Sequence, residues 1–120
     1  NWTGDYSCKI QHHSNYLYIQ GGSNGHIFRR HTGSNAWFIN GDGHFFPGTN
    51  DAYDIGTSSN RVRNLYTTDL QLSNESKKDR GGNNVDGTWG DWTLQEGEDK
   101  IFMINNRTGK KYSLIMKEEN

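Results

Sequence analysis

The chain carries five histidines, and histidine is the commonest ligand of a transition metal. Their spacing does not build a site. His12 and His13 are adjacent and point to opposite faces of any strand, and His26 and His31, five apart, do the same. No cysteine or carboxylate stands at zinc-ligand spacing, so no metal is expected within one chain. Gly41-Asp42-Gly43 and Asn50-Asp51 resemble pieces of a calcium loop, but the closing glutamate of that motif is missing and both read first as turns. Phosphate cradling by glycine needs a helix to follow, and no helical period is present. Serine, histidine and aspartate occur without a Gly-x-Ser-x-Gly elbow. Glu96, Glu98 and Asp99 are the carboxylates that a glycosidase pair would draw on. Glu98 and Asp99 fall in an expected turn, however, the usual place for solvated acids. No catalytic residue and no cofactor is assigned.

Surface recognition is the chemistry left. Trp89 and Trp92 flank Gly90-Asp91, and Lys110 and Lys111 approach them if the last hairpins pair. Aromatic faces beside Asp, Asn and Gly suit stacking on sugar rings with hydrogen bonds to their hydroxyls. Trp89, Asp91, Trp92, Lys110 and Lys111 are therefore the candidate receptor-binding residues. The competing expectation packs both tryptophans into a core shared between chains. Tyr16, Tyr18, Arg29, Arg30 and Trp37 are open to the same two readings.

The elements that must position these residues are strands. Runs at 5–10, 15–20, 26–31 and 35–40 are rich in Tyr, Ile, Phe and Trp. Turn clusters bound them: His12-His13-Ser14, Gly21 to Gly25, Thr32-Gly33-Ser34 and Gly41-Asp42-Gly43. That spacing predicts an antiparallel meander. Leu17 and Ile19 are the expected inward pair of the second run, opposite Tyr16 and Tyr18. Ala36-Trp37-Phe38-Ile39 is apolar on both faces and predicts a strand sandwiched between layers or subunits. Residues 65–72 read as a strand with Leu70 and Leu72 on one side. Residues 73–88 read as a long polar excursion, which places a boundary near 73. Trp92 to Glu96, Ile101 to Ile104 and Tyr112 to Met116 predict a small three-stranded sheet, its last hairpin turning at Asn105 to Gly109.

Composition limits what one chain can bury. Only 30% of the 120 residues are hydrophobic, and mean hydropathy is −1.03. Such a chain alone has little apolar material to offset its conformational entropy, yet 12% aromatic residues argue against disorder. Oligomerisation, with one core assembled from several chains, reconciles the two. The formal charge is −1 with both signs mixed, so no basic stripe for nucleic acid is present. Cys8 is alone and cannot close an internal disulfide. No apolar run reaches membrane-spanning length, and no membrane insertion is expected. The sequence begins with Asn and shows no signal peptide, which suggests a piece of a longer protein.

The stretch Phe46 to Tyr66 organises the rest. It opens on Pro47-Gly48, the chain's only proline, in a turn pair. Tyr53, Ile55, Leu65 and Tyr66 anchor either side of a polar loop, where Gly56 is expected at a positive φ and Thr57-Ser58-Ser59-Asn60 at self-made hydrogen bonds. Arg61 and Arg63 bracket Val62. The Pro-Gly turn, Tyr53-Asp54-Ile55-Gly56, Ser58-Ser59-Asn60-Arg61 and Asn64-Leu65-Tyr66 resemble a motif near the C-terminal ends of bacteriophage tail fibres and tailspikes. The lead-in Asn40-Gly41-Asp42-Gly43-His44-Phe45-Phe46 is similar to that of the same fibres. Trp92 to Lys100 and Ile104 to Tyr112 resemble the last domain of tail fibres in marine T4-like phages.

The resemblance covers roughly residues 40–117 and implies an all-β fold of short antiparallel strands and hairpins, intertwined as a homotrimeric fibre with a small C-terminal sheet. Residues 1–72 would form the shaft or head-base and 73–120 a loop plus the terminal sheet. Trp37, Phe46, Tyr53, Ile55, Val62, Leu65 and Tyr66 would serve the fold motif and trimer interface. The implied work is non-catalytic adsorption from an extracellular virion, with a bacterial surface glycan or outer-membrane protein as partner. Two alternatives stay open: a polysaccharide-degrading tailspike fragment, and a purely structural trimerisation domain. Histidines on a threefold axis resemble a feature of some phage fibres, but the His-x-His pattern of those fibres is missing here. A self-cleaving chaperone, which some related fibres carry from about the position of Ser73, would open on a Ser-Asp-x-x-x-Lys pattern that Ser76-Lys77-Lys78-Asp79 does not supply.

Overall fold

The structure, a computed structural model, describes residues 7–120. It is all-β, with three small antiparallel sheets and one short 3-10 turn. The chain divides into two units, Asn1–Ile55 and Gly56–Asn120.

In the first unit, β1 (Lys9–His13) and β2 (Tyr16–Gln20) form a hairpin. Its turn is Ser14-Asn15 (φ 51° and 64°), not the expected His12-His13-Ser14. A two-residue hairpin loop with the right twist needs positive φ at both positions, which Asn tolerates. His12 and His13 therefore close β1, the latter paired with Tyr16. The expected strand residues Asp5 and Tyr6 lie outside the described residues. Tyr16 and Tyr18 share a face, ring centroids 6.2 Å apart. Ile10, Leu17 and Ile19 share the other and stand exposed within the chain, although Leu17 and Ile19 read as inward.

The second sheet is β3 (His26–Arg29), β4 (Asn35–Ile39) and β5 (Phe45–Pro47), with a bulge at Phe28/Arg29. β4 is apolar on both faces, as the sequence predicts, and each face has its own aromatic stack. Trp37 lies 4.8 Å from Phe45 and Phe38 5.5 Å from Phe46, centroid to centroid, both nearly parallel. Tyr53 reaches Trp37 at 6.3 Å. β5 ends on Pro47 at the sheet edge, where a residue without an N–H is tolerated. Gly48 N–H then carries the pairing on to the Ala36 carbonyl at 2.8 Å.

The second unit opens with the polar loop. Thr57 N–H donates to the Asn60 carbonyl, and Thr57 Oγ1 accepts from Asn60 N–H. Gly56 takes φ 82°, as expected. Ile55, Val62, Leu65 and Tyr66 are exposed, Tyr66 to 90%. Regular strand begins only at β6 (Leu70–Ser73), shorter than the 65–72 run. After the 3-10 turn at Glu75–Lys77 come β7 (Asp91–Glu96), β8 (Ile101–Asn105) and β9 (Lys111–Ser113). The sheet order is β6-β7-β8-β9, so β6 joins the terminal sheet and makes it four-stranded rather than three. The β8–β9 turn has Gly109 at φ 77°, the left-handed position read from the sequence.

Register divides this sheet by face. Leu70, Leu94, Met103 and Tyr112 align across the four strands, with Leu72 and Trp92 beside them. The other face carries a polar ladder centred on Thr93, beside Ile104 and Phe102. The Thr93 hydroxyl bonds Gln71 Oε1 (2.7 Å) and the Asn106 side chain, and Gln95 Nε2 donates to Asp69. Thr93, 7% exposed, is the only buried residue described, and no described hydrophobic residue is buried. The chain exposes 10545 Å², against about 8,000 Å² for two separate compact units sharing its 13.7 kDa. Among the described residues no helix is long and apolar enough to cross a membrane.

Candidate functional site

The second unit has a concave feature lined by chemistry-bearing residues. It is an open groove of about 950 Å³ between β6, the loop ahead of β7 and the β8–β9 turn. Trp89, Trp92 and Arg107 supply its aromatic and charged lining.

Local hydrogen bonding makes this loop specific. The Asn83 carboxamide accepts the N–H groups of Val85 and Asp86 and donates to the Asp86 carboxylate at 2.8 Å. Asp86 accepts in turn from the Thr88 hydroxyl (2.8 Å) and the Thr88 N–H (3.1 Å). These donors, the Thr88 hydroxyl first and the Asn83 amide next, hold the Asp86 carboxyl below its ordinary 3.8. Asn74 ties the far end: its Oδ1 accepts from Gly90 N–H at 2.8 Å. Residues 73–88, read as a polar excursion, thus close on themselves through Asx-type turns.

Trp89 and Trp92 play different parts. Trp92 lies on the apolar sheet face, its ring centroid 5.8 Å from that of Tyr112. Gly90 leaves the space its indole occupies, since a Cβ there would stand 2.8 Å from Nε1. Trp89 is covered by Arg107, whose Cζ sits 3.8 Å from the ring centroid. Arg107 Nη1–H also donates to the Trp89 carbonyl at 2.9 Å.

Of the five candidate receptor-binding residues, the two tryptophans line the groove. Asp91 is a structural acceptor, holding Asn106 through both its carboxylate (3.0 Å) and its carbonyl (2.8 Å). Lys110 and Lys111 do not line the groove: Lys110 closes the β8–β9 turn, and Lys111 pairs with Ile104 on the face away from Trp92. The cation beside tryptophan is Arg107, which sequence reasoning missed. Its only signal was a place in a turn whose geometry decides which cation reaches back. Glu98 and Asp99 occupy the β7–β8 turn closed by Gly97 N–H on the Lys100 carbonyl. Among the described residues, no three His, Cys, Asp or Glu side chains converge as a metal site would need. The chain matches no protein-family model, no curated protein and no solved structure.

Proposed function

We propose that this chain is the C-terminal part of a phage tail fibre, working as a homotrimer that binds a bacterial surface glycan and performs no chemistry of its own. The observation that carries the reading is the missing interior: no described hydrophobic side chain is buried within one chain. Apolar faces lie open in both units, at Ile10, Leu17 and Ile19 and at Leu70, Leu72 and Tyr112. Three chains sharing such faces gain the burial that one lacks. The groove at Trp89 then repeats about the axis, and effective concentration multiplies weak single contacts.

Multi-angle light scattering on the isolated chain tests assembly, with three times 13.7 kDa expected. A stable monomer would remove the physical basis of the reading. Open apolar faces favour a purely structural trimerisation domain as well. Binding to immobilised bacterial polysaccharides separates the two, since a structural domain binds none.

A further inference from the structure

The groove has an asymmetry in its hydrogen bonding. Four carboxamides line it: Asn83 spends both its oxygen and its NH₂ within its own loop, and the other three are Gln71, Asn74 and Asn105. Each of the three has its oxygen engaged: Gln71 by the Thr93 hydroxyl, Asn74 by Gly90 N–H, and Asn105 by the N–H groups of Arg107 and Thr108. The backbone N–H donors fix which end of the Asn74 and Asn105 amides is which. Among the described residues the NH₂ groups of these three have no partner, so the lining offers amide donors beside its one cation.

The single charged side chain of the lining is Arg107. It makes no ion pair with a described residue. The contact with the Trp89 ring and one bond to that residue's carbonyl hold the guanidinium over the indole and leave the rest of its N–H edge unspent. A planar guanidinium fixed in this way is preorganised for a bidentate oxyanion. A lysine at the same place would offer a mobile point charge.

Building on the glycan-binding reading, we infer that the Trp89–Arg107 groove selects carboxylate-bearing sugars, with Arg107 as the anchor and the Gln71, Asn74 and Asn105 amides donating to ring hydroxyl oxygens. Neutral sugars satisfy the amide donors but leave the guanidinium without its counter-charge. Cationic sugars are repelled.

The test is binding of the assembled protein to oligosaccharides that contain glucuronate or N-acetylneuraminate, each beside its carboxyl-reduced counterpart. The acidic form is expected to bind tighter by about tenfold or more, the scale of a hydrogen bond to a charged group. Arg107→Gln is expected to erase that preference with oligomeric mass and β-sheet circular dichroism unchanged, and Arg107→Lys to keep only part of it. Equal binding of acidic and reduced forms, or a preference that survives Arg107→Gln, overturns the inference and leaves glycan binding standing. Binding to neither form nor to any polysaccharide overturns the glycan reading and this inference with it.

Discussion

Arg107 and Trp89, eighteen positions apart, are joined twice: the guanidinium lies 3.8 Å over the indole and donates to the indole's own backbone carbonyl. The β8–β9 turn and the loop ahead of β7 are clipped together by this pair. A double-mutant cycle with Trp89→Leu and Arg107→Gln is expected to show a coupling of about 0.5–1 kcal/mol in urea denaturation, as for a partly exposed cation–π contact. Additive effects would mean that the two segments are held by the sheet alone.

The loop clip also sets a pH dependence. Asp86 has its folded-state carboxyl below the ordinary value, through the Thr88 hydroxyl first and the Asn83 amide second. A depressed acid stabilises the folded loop above the unfolded value, and the contribution is lost as pH falls through the lower folded one. Protection of the Thr88 amide, its exchange rate relative to the unstructured rate at the same pH, is expected to hold at neutral pH and to fall below about pH 4, the ordinary aspartate range. Asp86→Asn removes the charged acceptor and should lower that protection at every pH.

How much of this was legible follows from distance along the chain. Turns that glycine and asparagine make for themselves, at Gly56 to Asn60 and Asn105 to Gly109, were readable because donor and acceptor lie within a few residues. The two-faced apolar character of β4 was readable from four consecutive residues. β5 was hidden because Pro47 reads as a turn, whereas the edge of a sheet accepts it. Arg107 was hidden because nothing near it in sequence names Trp89, and Lys110-Lys111 offered equal charge close by. The shift of the first turn to Ser14-Asn15 needed two positive φ angles, which neither His12 nor His13 announces.

Thr93 is the one buried residue described, 7% exposed, and its hydroxyl joins Gln71 on β6 to Asn106 after β8. Thr93→Val keeps the shape and releases two polar partners. Gln71 and Asn106 are both exposed and can turn to water, so the expected cost is about 0.5–1.5 kcal/mol of unfolding free energy, the net worth of a hydrogen bond. Asn106→Ala breaks the same network, along with the Asp91 bonds. The double variant should therefore lose less than the sum of the singles.

The strongest test of a shared interior is to charge it. Leu70 heads the apolar row that runs through Leu94 and Met103 to Tyr112, and it is 37% exposed within one chain. On an isolated chain, Leu70→Glu would place its carboxylate at a partly hydrated edge strand and cost little. In an assembly that covers this face, each chain would bury an unpaired charge at about 3–5 kcal/mol. The expected outcome is a fall in light-scattering mass from that of the proposed trimer toward 13.7 kDa, with Leu70→Met keeping the assembly because it is apolar and similar in volume. If Leu70→Glu leaves the trimer intact, this row faces solvent and the assembly rests on the first unit's faces, where Phe28→Glu would then be the change that dissociates it. Trimers that survive both substitutions would mean that the open apolar faces are not the surfaces the chains share.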